Sequence, residues 1–251
     1  MNVRFACYEC LSASLTMRTH PRSYRGLFMD SDGYPLGVSW PYDRTETLAD
    51  GVIHIVGLAL ALIAAIGLVI FAYGSSRGFE VASVVIYACC LLTMLGFSAA
   101  YNMWPISPRK WWLRRLDHSA IFLFIAATYT PLIARMSLGE RGFVFLIAIW
   151  FLAALGVLLK YFLPGRFDRL SIALCLCLGG SGVFAYESVV AVLPRATLWL
   201  IAIGGGLYSI GVVFHLWERL RFQNAIWHGL VLAAAGCHYA AIIGCIAVAN
   251  A

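Results

Sequence analysis

Charge is scarce in this chain. Asp, Glu, Lys and Arg make up only 12% of its 251 residues, against about 25% in ordinary soluble domains. With 62% hydrophobic residues, one soluble domain has too little interior to hide the apolar surface. A soluble fold is excluded, and lipid is the expected solvent. A continuous basic stripe is missing as well. The formal charge of +6 is spread in short clusters between apolar runs, which argues against a nucleic-acid partner and for loops beside membrane lipids. No apolar segment of secretory type precedes residue 45. The eight cysteines lack the spacing of a disulfide framework: Cys89, Cys90, Cys175, Cys177, Cys237 and Cys245 fall inside apolar runs, where cysteine packs as a small side chain. Cys7 and Cys10 form a single C-x-x-C without the second pair of ligands that structural zinc requires.

What the chain has in abundance is apolar runs of about twenty residues. Seven are expected to cross the membrane, at about 50–73, 79–103, 117–135, 142–162, 170–190, 196–217 and 225–250. The expected architecture is all-α, a polytopic seven-transmembrane helix bundle over residues 46–251. Before it lies a polar tail, residues 1–45, with Pro21, Pro35 and Pro41, expected to be poorly ordered. Met17 and Met29 are alternative starts within it. The sequence leaves the oligomeric state open.

Basic residues set the expected orientation. One side takes Arg4, Arg18, Arg22, Arg25, Arg44, Arg109, Lys110, Arg114, Arg115, Lys160, Arg166, Arg169, Arg219 and Arg221; the other takes only Arg77, Arg135, Arg141 and Arg195. The positive-inside rule then puts the N-terminus in the cytoplasm and the C-terminus outside, as in a bacterial inner membrane.

Titratable groups in a span cost about 2.5–3.5 kcal/mol each on insertion scales, so each needs a partner or a purpose. Asp50 and His54 are four residues apart near the start of the first span, and Ser98 and Asn102 are four apart at the end of the second. Asp117 and His118 open the third, and Asn224 and His228 the seventh. Four helices thus place polar groups at one depth, near the cytoplasmic face. Singly, each has a plain explanation: Asp117 meets a helix N-terminus or Arg114, and the asparagines join helices. Together they point to a functional cavity. His238, about 15 Å from His228 along the helix, cannot share a metal with it. Gly204-Gly205-Gly206 and Gly211 are expected at close helix contacts, and Pro131 at a kink.

In chain order, Glu46-x-x-x-Asp50-x-x-x-His54-x-x-Gly57, Ser98-x-x-Tyr101-Asn102, Leu116-Asp117-His118 with Thr128-Tyr129-Thr130-Pro131, Gly205-Gly206-x-Tyr208-x-x-Gly211, and Asn224-Ala225-Ile226-Trp227-His228 with His238-Tyr239 resemble the haemolysin III family, relatives of the adiponectin and progestin receptors. The resemblance covers about residues 45 to 250. It implies seven helices, a cytoplasmic N-terminus and a zinc site near the cytoplasmic face, with ligands at Asn102, Asn224 and His228 and with Asp117 as water orienter or base. Two of the three expected histidines are asparagines here, and a neutral amide is a poor zinc ligand. His54 or His118 would have to supply the missing imidazole. The functions in play are a zinc-dependent hydrolase of lipid amides or esters, a non-catalytic lipid-responsive or membrane-homeostasis protein, and a cytolytic pore former, which seven permanent spans disfavour.

Overall fold

The computed structural model describes residues 42–75, 78–136, 139–163, 167–217 and 219–247. The expected tail up to residue 41, with Cys7 and Cys10, lies outside them. Every regular element among the described residues is helical: α1 (Arg44–Ser75), α2 (Phe79–Met103), α3 (Pro108–Met136), α4 (Gly139–Phe162), α5 (Asp168–Gly180), a 3-10 segment (Ser181–Ala185), α6 (Tyr186–Val192), α7 (Arg195–Leu216) and α8 (Gln223–Ala247). Six of them, α1 to α4, α7 and α8, are long and apolar enough to cross a membrane. The chain is a polytopic, all-helical membrane protein.

The helices are built for lipid. Along α1 the buried stripe is Asp50, Gly51, His54, Gly57, Ala61, Ala65, Leu68 and Ala72, a spacing of three and four that marks one helix face. The opposite face exposes Ile55, Ile63, Ile66 and Ile70. Small residues inside and branched aliphatics outside is the membrane pattern, because lipid solvates Ile while close backbone approach rewards Gly and Ala. α3 is the most buried of the six spans. It packs on α2, α4 and α8, while α1 closes against α2 and α8, and α7 packs along α8. One core cluster joins α1, α2, α3 and α8 through Leu68, Tyr87, Leu91, Phe124 and Ile242. A second joins α3, α4 and α5 through Phe122, Ile149, Ala153 and Leu178. Of the expected glycine contacts, Gly204 and Gly211 lie against His238 and Trp227 of α8, whereas Gly205 and Gly206 face open space.

Three boundaries differ from the sequence expectation. α1 begins at Arg44 rather than at 50 because Asp43 and Glu46 form a capping box: Asp43 Oδ1 accepts from the Glu46 amide at 2.8 Å and Glu46 Oε2 from the Asp43 amide at 3.0 Å. The Thr45 hydroxyl and the Glu46 amide hold the Asp43 carboxyl below its ordinary pKa. α3 begins at Pro108 rather than at 117. Its Lys110 is buried and donates to the carbonyls of Tyr101 (2.7 Å), Asn102 (3.3 Å) and Trp104 (2.7 Å), capping the C-terminus of α2. The expected single span at 170–190 is a broken helix. Tyr129 of α3 sits at the break, donating to the Gly179 carbonyl at 2.6 Å and accepting from the Gly182 amide at 2.9 Å. The hydroxyl thus serves backbone groups at the break, where hydrocarbon offers no partner.

Candidate metal centre

At the end of the bundle where α1, α3 and α8 begin and α2 ends, four helices contribute polar side chains to one cluster. The start of α1 is fastened to that of α8: Glu46 Oε1 accepts from the Phe222 amide at 2.8 Å. One turn on, Asp50 is 3% exposed and serves as the hub. Its Oδ1 accepts from His228 Nδ1 at 2.6 Å and its Oδ2 from Asn224 Nδ2 at 2.9 Å. The Asp50 backbone carbonyl lies 2.8 Å from His54 Nδ1. A carbonyl only accepts, so His54 carries its proton on Nδ1. The carboxylate fixes His228 in the same tautomer.

As neutral imidazoles, both therefore present a bare Nε2. Each faces the same hydroxyl, Ser98 Oγ, at 3.2 Å from His54 and 3.5 Å from His228. The two rings meet edge to face with centroids 4.3 Å apart. Asp117, buried on α3, lines the same cavity as these groups. One O–H cannot satisfy two imidazole lone pairs at once. An arrangement with surplus lone pairs on two imidazoles beside carboxylates has the donor chemistry of a divalent-metal site. Nδ1–H groups tied to a carboxylate and a carbonyl are the usual outer partners of metal-bound histidine. Asp50, His54 and His228 also bring ligand atoms within 4.8 Å of one another. The residues present fit a zinc-type ion.

The structure brings Asp50, His54, Ser98, Asn102, Asn224 and His228 together, and Asp117 lines the same cavity. The two asparagines do not point amide oxygens at a common centre. Asn224 Nδ2 bridges Asp50 and Asn102 Oδ1 (3.0 Å), and Asn102 Nδ2 donates to the Ser98 carbonyl at 2.9 Å. They hold the hub and the end of α2 in place. His118 turns away, with Nε2 3.9 Å from Asp117 Oδ2 and its ring against Tyr101. His238 bonds the Ile201 carbonyl at 3.3 Å, apart from the cluster. Lys110, which anchors the turn carrying Asn102, went unnoticed in the sequence because its loop reads as ordinary cytoplasmic charge.

Two openings reach this cluster. A cleft of about 10 Å³ between Tyr42, Glu46, Asp50, Phe222 and Asn224 has room for about one water. On the other side lies a cavity of about 1650 Å³, lined by His54, Ser98, Asp117 and His228 and by apolar residues such as Ile121, Phe124, Ile172 and Val231. It exceeds the usual 300–1,000 Å³ or so of small-molecule sites.

A family model described as "Haemolysin-III related" matches residues 42–239. The chain is 32% identical to a "Hemolysin-3 homolog" of Bacillus subtilis, over 81% of this chain and 96% of that protein. It is 31% identical to "Hemolysin-3" of Bacillus cereus, over 79% and 90%. The human "Monocyte to macrophage differentiation factor" is 29% identical over 62% of this chain and 67% of its own length. The matched region takes in every residue of the polar cluster.

Proposed function

Because this chain belongs to the haemolysin III family, relatives of the adiponectin and progestin receptors, we propose that it is a plasma-membrane, zinc-dependent hydrolase of lipid esters or amides. The proposal includes a seventh crossing formed by α5 and α6, a cytoplasmic N-terminus and an outer C-terminus. The observation that carries it is the pair of Nε2 atoms of His54 and His228, both turned toward the Ser98 hydroxyl at the wall of a large, mainly apolar cavity that Asp117 also lines.

His54 and His228 would hold the metal, with Asp117 as a carboxylate beside it and Asp50 as the partner that fixes His228. Bound there, zinc supplies Lewis acidity toward a carbonyl and toward water. The chain's own residues do the rest. Asp50 and Asn224 keep the His228 ring in one tautomer and orientation. Asp117, which lines the same cavity, would take up a proton from water entering the site. The apolar walls order an acyl chain and exclude bulk water.

Elemental analysis of the purified protein tests this reading. Wild type is expected to carry about one zinc per chain and His228→Ala none, with lipid ester or amide cleavage lost in parallel. Metal-free wild type that still folds and cleaves would refute it. The hydrogen-bonded Asp50–Asn224–Asn102 bridge supports a second reading, a lipid-responsive protein without turnover. It predicts copurifying lipid and no hydrolysis even with zinc bound.

A further inference from the structure

We propose that the rim of the large cavity, beside Asp117, is a subsite for a phosphate group, held by Arg114, Lys160 and Arg169. Arg114 precedes Asp117 by three residues on α3, so it stands about one turn from the metal centre on the same face. Arg114, Lys160, Arg169 and Arg219 all line the cavity; among the described residues its only lining acids are Asp168 and, deeper, Asp117.

Basic residues that merely obey the positive-inside rule point outward to headgroups and water. Here Lys160 is 5% exposed, and both it and Arg114 turn to one carboxylate: Asp168 lies 2.5 Å from Lys160 Nζ and 3.2 Å from Arg114 Nη2. That leaves Arg114 Nη1 buried with no hydrogen-bond partner. A buried guanidinium N–H without an acceptor is costly, and the rim carries more cations than its acid can balance. An anion with several oxygens completes both accounts, and guanidinium N–H pairs suit phosphate in particular. Below the rim the walls are apolar, so the matching ligand is an amphiphile with a phosphate head and an acyl or alkyl tail. This names a substrate class for the proposed hydrolase and rests on that reading for its purpose; the binding itself requires no metal.

The test uses the full chain in nanodiscs of zwitterionic lipid, before and after chelation, with three probes: dodecyl phosphate, inorganic phosphate and 1-dodecanoylglycerol. Dodecyl phosphate is expected to bind at least about tenfold more tightly than the neutral glycerol ester, and chelation to leave that affinity unchanged. Arg114→Gln and Arg169→Gln are each expected to weaken it by about tenfold. Arg169 is exposed, so its variant keeps the question open to measurement should Arg114→Gln fold poorly. Inorganic phosphate binding as tightly as dodecyl phosphate, with the same loss in the variants, supports the phosphate site and assigns it to the free ion. Equal binding of the neutral ester, or wild-type affinity in both variants, overturns the proposal. A protein that lacks zinc yet binds dodecyl phosphate refutes the metal reading alone.

Discussion

Asn102 and Asn224 stand where the family pattern calls for imidazoles, and each has a definite task in this chain. Asn224 joins the Asp50 carboxylate to Asn102, and Asn102 closes onto the end of α2. In the proposed site, one of the two imidazoles they lack is supplied by His54, from a helix the family pattern does not use for a ligand. His54→Ala, like His228→Ala, is therefore expected to lower zinc affinity by at least about tenfold when zinc binding is titrated by calorimetry. Asn224→Ala is expected to leave a site that still binds zinc, weakened by about 10–100-fold, because it frees the carboxylate behind His228. An Asn224→Ala protein that binds zinc as wild type does would show that the bridge has no part in the site. The Asp50–His54 pair was legible in the sequence through its four-residue spacing. The hub role of Asp50 was not, since it depends on α8 delivering His228 and Asn224 to both carboxylate oxygens, and no local pattern encodes that meeting.

Hydropathy announced the long helices, because a run of twenty apolar residues has few other uses, but it could not show where a helix breaks. Gly179, Gly180 and Gly182 sit inside what reads as one apolar run. Their weak helix preference becomes a break only because Tyr129, 50 and 53 residues before Gly179 and Gly182, satisfies the freed backbone groups from α3. Tyr129→Phe should destabilise the protein by about 1–3 kcal/mol, the cost of leaving backbone groups unpaired where hydrocarbon offers no partner. Thermal unfolding in detergent would register it as a lowered Tm, with zinc content unchanged because α5 carries no part of the metal centre. The α3–α4 contact yields a second test. A Cβ at Gly156 would collide with the Phe122 ring, so Gly156→Leu should cost about 1–3 kcal/mol through overpacking. Gly205→Leu, where nothing lies within 4 Å, should cost much less.

At the scale of the whole molecule, the sidedness of the metal centre turns on whether α5 and α6 together cross the membrane. The six long helices alone would return the chain to its starting side. The stretch from Asp168 to Val192 is helical throughout, counting its 3-10 segment, and at about 1.5 Å per residue it reaches some 35–40 Å, enough for a hydrocarbon core of about 30 Å. Its central break is tolerable because α3 covers it. The charges agree: with seven crossings, Arg109, Lys110, Arg114, Arg115, Lys160, Arg169, Arg219 and Arg221 share one face, whereas six would carry Arg219 and Arg221 to the other. That pair could not then sit beside the start of α1, where Arg221 lies 3.4 Å from Asp43. A C-terminal alkaline phosphatase fusion should accordingly be active in bacterial cells, and a fluorescent-protein fusion at the same point dark. The opposite pair of signals would place the C-terminus in the cytoplasm and leave α5 and α6 as a re-entrant pair. Six crossings would also carry Asn224 and His228, at the start of α8, away from Asp50, so that result would overturn the proposed metal centre, whereas the expected signals are the ones its geometry requires.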